Sequence, residues 1–137
     1  DEKISISLGA HSGDHAIYPD CRLEFFEKLF ESFQIGNWDS DRIKLYVPYI
    51  NMTKTDILLD AEESINKLNL DFDTIFKNTI TSYSPNRSGK SSGKTGSDIE
   101  RILAFNSINR KDPIIYQSSW DSVLENALKM EKDFISE

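Results

Sequence analysis

The sequence predicts an α/β fold, built as part of a doubly wound parallel sheet and continued by a helical C-terminal region. Three observations carry this. Two short runs, Lys3-Ile4-Ser5-Ile6-Ser7-Leu8 and Arg42-Ile43-Lys44-Leu45-Tyr46-Val47, alternate apolar with polar residues at the period of a strand. Each run leads through a loop into a stretch with helical apolar spacing, the order in which parallel strands are joined by crossover helices. Only two good strands are legible, and a two-stranded parallel sheet would be exposed along both edges, so the chain reads as the second half of a larger doubly wound domain.

Taken in order, the first strand ends at Gly9 and gives way to the loop Ala10-His11-Ser12-Gly13-Asp14-His15. His11, Asp14 and His15 stand at i, i+3 and i+4, a donor set for a divalent metal, but no helix fixes their geometry; a substrate-contacting or exposed loop is the better reading. The location favours a ligand, since open α/β sheets bind theirs past the carboxyl ends of their strands. Tyr18-Pro19-Asp20-Cys21-Arg22 then opens a helix to Phe33, with Asp20 as the expected N-cap and Glu24 near the third helical position. Leu23, Phe26, Leu29, Phe30 and Phe33 form its apolar face, for which core packing is the default, and Gly36-Asn37 ends it.

Pro48 closes the second strand, and Thr53 is placed to cap a helix from Lys54 to Leu68, with Asp56 as the acidic half of a capping box. Lys54 in the first turn opposes the helix dipole at a cost of roughly a few tenths of a kcal/mol unless an anion faces it. A ligand phosphate is one such anion; plain solvation is the alternative. Asp71 to Lys77 gives a short helical turn. A helix from Asp98 to Ile108 carries Ile99, Ile102, Leu103 and Phe105 inward, Lys111-Asp112-Pro113 breaks it, and Ile114-Ile115-Tyr116 is extended. The last helix, Ser119 to Phe134, presents Trp120, Val123, Leu124, Ala127, Leu128 and Met130.

Between the third and fourth helices lies the one stretch of unusual composition, rich in Ser, Gly and Lys. Gly93-Lys94-Thr95 resembles the end of a phosphate-binding P-loop, but Ser88 stands where its first glycine belongs, and the preceding Tyr83-Ser84-Pro85-Asn86-Arg87 is turn-forming, not a buried strand. Ser92, Thr95 and Asp98 have the i, i+3, i+6 spacing of a metal knuckle, with Ser82 ten residues upstream. None is a cysteine, and one carboxylate among three alcohols is a poor donor set for zinc.

Composition bounds the function. A chain of 137 residues, 38% hydrophobic and 11% aromatic, is long enough for one globular unit with its own core. Sixteen basic against twenty-three acidic residues, a net charge of −7, disfavours attraction to nucleic acid or anionic membrane. Arg87, Lys90 and Lys94, with Arg101 beyond them, make a local basic exception, read first as a solvated loop. The single cysteine, Cys21, rules out an internal disulfide or a cysteine cluster and makes a reducing cytoplasm the natural setting. No apolar run approaches the length of a membrane span. The first residue is Asp1, not Met, which points to a segment upstream.

Tyr18-Pro19-Asp20-Cys21-Arg22-Leu23-Glu24-Phe25, Thr53-Lys54, the central loop and Asp112-Pro113-Ile114, in that order, resemble the C-terminal half of the 7-cyano-7-deazaguanine synthase family (QueC/ExsB), queuosine-biosynthesis enzymes of the PP-loop ATPase superfamily. The resemblance covers nearly all of residues 4–116. It implies an adenine nucleotide alpha hydrolase-like fold, with residues 1–78 as the C-terminal half of a PP-loop domain and 79–137 as a former zinc-loop region with C-terminal helices. It implies ATP with magnesium, activation of a 7-carboxy-7-deazaguanine carboxylate as an adenylate, amidation by ammonia and dehydration to a nitrile. His11, Asp14, His15, Tyr18, Asp20 and Arg22 would line the deazaguanine and dimer-facing side, and Lys54 would stand near the nucleotide phosphates or the adenylate.

Two departures stand out. The family's four zinc cysteines fall on Ser82, Ser92, Thr95 and Asp98, while Thr79, Tyr83, Gly93, Gly96, Glu100, Arg101 and Phe105 keep the surrounding pattern, so zinc is expected to be absent. The S-G-G-x-D-S motif that grips pyrophosphate does not occur in these residues, and Ser12-Gly13-Asp14 lacks the double glycine it needs. The leading expectation is a zinc-less synthase-like protein whose ATP-binding half lies on another segment or chain, as a homodimer or a complex. The competing one is an inactive binding module that keeps the fold; nucleic-acid binding comes third.

Overall fold

The computed structural model describes residues 3–15, 18–82 and 88–135. Arg87, one of the three basic loop residues, lies outside them, as does Tyr83. The chain divides by packing into two compact units, Asp1–Thr53 and Lys54–Glu137. This division by contact differs from the division by motif at residue 78.

The first unit holds β1 (Ile4–Ser7), α1 (Leu23–Gly36) and β2 (Ile43–Tyr46), with single 3-10 turns at Ser12–Asp14, Pro19–Cys21 and Ser40–Arg42. The strands are parallel, pairing Ile4 with Ile43 and Ser7 with Tyr46, and Leu8 N–H extends the ladder to the Tyr46 carbonyl at 3.1 Å. β1, α1 and β2 therefore form one crossover unit, as the alternation predicts. Helix α1 departs from expectation at both its start and its face. Asp20 sits inside the Pro19–Cys21 turn, so Arg22, in extended conformation and without a side-chain cap bond, precedes the helix. Of the expected apolar face only Phe26 is buried, while Leu29 is 54% exposed. Two four-residue strands offer too little surface to cover a fourteen-residue helix.

The second unit holds α2 (Lys54–Lys67), α3 (Phe72–Lys77), α4 (Gly96–Ser107) and α5 (Trp120–Ile135). Helix α4 packs against both α2 and α5. On one side Phe105 and Ala104 meet Leu58, Ile65 and Phe72; on the other Ile102 meets Tyr116, Val123 and Ala127. Asp71 caps α3 by accepting the Thr74 N–H at 2.7 Å. Helix α4 starts at Gly96, two residues before the expected Asp98, because the Thr95 hydroxyl caps it. Met130, expected on the apolar face of α5, is half exposed. No helix among the described residues is long and apolar enough to cross a membrane.

Helices α2 and α4 end on asparagines in the left-handed region, Asn69 at φ 53° and Asn109 at φ 57°. The next amides close the turn, Leu70 onto Ile65 and Arg110 onto Phe105, each at 3.0 Å. Asn109→Ala is expected to cost about 1 kcal/mol and Asn109→Gly to cost nothing. Urea melts of the two variants check this, and equal midpoints would refute it.

A buried polar hub ties the unit together. The Arg101 guanidinium makes a two-pronged ion pair with Asp112, one arm at 2.9 Å, and also donates to the Thr79 hydroxyl at 2.8 Å and the Phe76 carbonyl at 3.2 Å. Asp112 in turn accepts the Tyr116 hydroxyl at 2.8 Å and the Ile114 amide at 3.1 Å. Asp112-Pro113-Ile114 is thus a clamp on α4, and Arg101, 5% exposed, is not presented to nucleic acid. Burial, and then the Asp112 charge, push the Tyr116 phenol far above its ordinary value of 10.0. Its contribution to stability is complete below pH 10.0 and is lost as pH rises beyond, where only the unfolded chain gives up the proton. Urea midpoints at pH 8 and pH 11 are expected to differ less for Tyr116→Phe than for the unsubstituted chain.

Candidate functional site

The carboxyl ends of β1 and β2 lie side by side, and the segments leaving them are bonded to each other. Ser12 donates both its amide, at 2.9 Å, and its hydroxyl, at 2.7 Å, to the Met52 carbonyl. The loop after β1 is thereby pinned to the turn after β2, in the place where open α/β sheets hold ligands. Ser12 carries no chemical signature in the sequence, and its part in building this edge was not legible there.

Within the pinned loop His11 is buried and acts as a helix cap. Its Nδ1 accepts the Gly13 N–H at 3.1 Å while Asp14 accepts the His11 amide at 3.4 Å, a reciprocal capping box around a single 3-10 turn. An Nδ1 that accepts is unprotonated, so the hydrogen of the neutral ring sits on Nε2, which lies 3.5 Å from the Asp14 carboxylate. His15 Nε2 is buried and has no hydrogen-bond partner, and Arg22 Nε donates to the His15 carbonyl at 3.3 Å. The Tyr18 amide bonds the Asp14 carbonyl at 2.8 Å. Hydrogen bonds thus link His11 with Asp14, Asp14 with Tyr18 and His15 with Arg22, and Asp20 is exposed on the following turn. Among the described residues no three His, Cys, Asp or Glu side chains converge to hold a metal.

Cys21 borders the same loop. Burial first, then the Asp14 and Asp20 carboxylates, raise its thiol above the ordinary value, so less thiolate is present at neutral pH. Iodoacetamide at pH 7.5 is expected to alkylate Cys21 more slowly than free N-acetylcysteine, and Asp20→Asn to speed the reaction. A rate at or above that of the free thiol would contradict this.

Lys54 belongs to the second unit. Its ammonium pairs with the Glu100 carboxylate of α4, both side chains being partly buried. The anion that offsets a lysine at the start of α2 is therefore supplied by the protein, 46 residues away, where no local signal could announce it.

The Ser/Gly/Lys-rich stretch folds around Asp98. Its Oδ2 accepts the Gly93 amide at 3.2 Å and the Ser92 hydroxyl at 3.3 Å, and Ser92 Oγ accepts the Lys94 amide at 3.1 Å. Thr95 Oγ1 accepts the Asp98 amide at 3.2 Å. Ser97 Oγ donates to the Thr81 carbonyl at 3.0 Å, which brings Thr81 against the start of α4. Residues 92, 95 and 98 thus belong to one bonded knuckle, and Ser82 follows the Thr81 that accepts the Ser97 hydroxyl. The Gly93 amide points inward to Asp98, so the Gly93-Lys94-Thr95 run is no phosphate cradle. Zinc does not fit these residues: Ser92, Thr95 and Asp98 Oδ2 are occupied by internal hydrogen bonds, and the remaining buried atoms, Ser82 Oγ and Asp98 Oδ1, are a hydroxyl and one carboxylate oxygen.

Comparison with known proteins places this geometry in context. The family described as "Queuosine biosynthesis protein QueC" matches residues 2–109. A protein of Colwellia psychrerythraea named 7-cyano-7-deazaguanine synthase 1 is 46% identical over 112 residues, 82% of this chain and 46% of the relative. Synthases of the same name from Pseudoalteromonas translucida and Psychromonas ingrahamii are 43% and 40% identical, over 82% and 83% of this chain and 46% of each relative. The chain thus spans about half the length of the curated relatives it matches. No solved structure matches it.

Proposed function

The chain belongs to the QueC family of queuosine-biosynthesis proteins, and we propose that it is the C-terminal portion of a 7-cyano-7-deazaguanine synthase that works without the family's zinc. One observation supports this most: the turn from His11 to His15 is preorganised at the carboxyl edge of parallel strands by bonds that leave His15 Nε2 buried and unpartnered. A buried ring nitrogen with nothing to bond costs free energy that a ligand with matching donors or acceptors would recover. A deazaguanine ring offers such groups along its edge. In this proposal Tyr18, Asp20 and Arg22 complete the rim, and the two strands complete a doubly wound PP-loop sheet with strands from a segment or partner that carries S-G-G-x-D-S.

ATP and its magnesium would be held by that other segment, whose nucleotide activates the substrate carboxylate for ammonia. Lys54 would turn from Glu100 toward the phosphates or the adenylate, with Glu100 steadying it until then. A homodimer would follow the family habit.

Reconstitution tests the reading. The chain, fused to or mixed with a polypeptide bearing S-G-G-x-D-S, is expected to convert 7-carboxy-7-deazaguanine to the nitrile with ATP consumption, and neither part to do so alone. Lys54→Ala is expected to lower kcat about a hundredfold, as loss of one donor to a developing charge does, with the deazaguanine KM little changed. His15→Ala is expected to raise KM instead. Binding of the deazaguanine without turnover, however the partner is varied, would leave an inactive binding module in place of the enzyme.

A further inference from the structure

We infer that Asp98 does for the loop of residues 91–98 the work of a bound metal, closing it by hydrogen bonds alone, so that this part of the fold is metal-independent. The carboxylate is fully buried and stands in the first turn of α4, where the positive end of the helix dipole stabilises a negative charge without any cation. One of its oxygens collects the amide and hydroxyl of residues 93 and 92, so the loop is folded back onto the helix that follows it. Thr95 caps the same helix through the Asp98 amide, so starting α4 and closing the loop are one act. The main competing occupant is a hard cation held by oxygen donors at Asp98 Oδ1, with Ser82 and Ser91 as the other buried unpartnered hydroxyls. It is disfavoured, because a cation there would face the positive helix end.

Amide exchange in the unsubstituted chain reads this directly. Gly93 N–H is expected to be protected, equally with and without EDTA and with or without added zinc, calcium or magnesium. Asp98→Asn, which keeps the shape and removes the charge, is expected to exchange Gly93 N–H about tenfold faster and to melt lower. The joint variant Ser82→Cys, Ser92→Cys, Thr95→Cys and Asp98→Cys is expected to take up one zinc per chain and to become sensitive to chelator, since residues 92, 95 and 98 are bonded together and Ser82 follows Thr81, which accepts the Ser97 hydroxyl. Stoichiometric metal in the purified chain, a melting point lowered by EDTA, or a Gly93 amide indifferent to Asp98→Asn would overturn the inference. None of these readouts requires catalysis, so failure of the proposed synthase activity leaves them standing.

Discussion

Asp112→Ala is expected to destabilise the second unit by about 3–5 kcal/mol, the cost of stranding a buried charge by deleting its partner. That is a large share of the roughly 5–15 kcal/mol by which a domain of ordinary size is stable. The substitution would orphan more than the Arg101 guanidinium, since the Tyr116 hydroxyl and the Ile114 amide lose their acceptor as well. Asp112→Asn keeps an acceptor for both and removes only the charge, so it should lose less. Adding Arg101→Met to Asp112→Asn should recover part of that loss, because removing both charges avoids the unpaired one. Urea unfolding followed by Trp120 fluorescence, in a background where the 98% exposed Trp38 is phenylalanine, measures all three variants. If Asp112→Ala shifted stability by less than about 1 kcal/mol, the hub would be ornament and not the clamp of the fold.

Gly93→Ala should cost about 2–4 kcal/mol, from two separable causes. Gly93 has φ 74°, and an added Cβ would meet Val123 Cγ1 at 2.6 Å and Val123 Cβ at 3.0 Å. Gly89 provides the control. It has φ 77° but open space around it, so Gly89→Ala should show the backbone penalty alone, about 1–2 kcal/mol. Val123→Ala relieves the clash, so it should be less harmful in the Gly93→Ala background than in the unsubstituted chain. Additive losses would mean that the loop shifts away from α5 freely and that its approach to Val123 is not tightly held.

How much of this was legible beforehand follows from how local each cause is. The strands β1 and β2 and the short helical turn of Asp71 to Lys77 are written in adjacent residues and are legible there, whereas the capping role of Asp71 comes from the structure. The burial of α1 was not, since an apolar stripe announces what a helix wants to cover, not whether two short strands can supply it. The sequence pattern starts α4 at Asp98, two residues late, because the cap, Thr95, is hidden in a run resembling a phosphate loop. Asp112 and Arg101 were visible as motif residues, but their pairing was not. Lys54 was singled out for its unfavourable place at a helix start, and what offsets it, Glu100, came from a distant helix. Of the pinned loop, the residues were named; that His11 caps a turn was not foreseeable, histidine being no usual cap.

The Asp98 knuckle has a consequence for the chain's exposure to oxidants. A thiolate cluster can be driven to sulfenic acid or disulfide, with loss of its metal and opening of the loop it holds. Alcohols and a carboxylate offer no such ladder to climb. The one sulfur nucleophile of the chain, Cys21, lies in the other packing unit with its thiol held protonated by its surroundings. Peroxide at levels that would spring a cysteine knuckle should therefore leave the start of α4, and the clamp built behind it, closed.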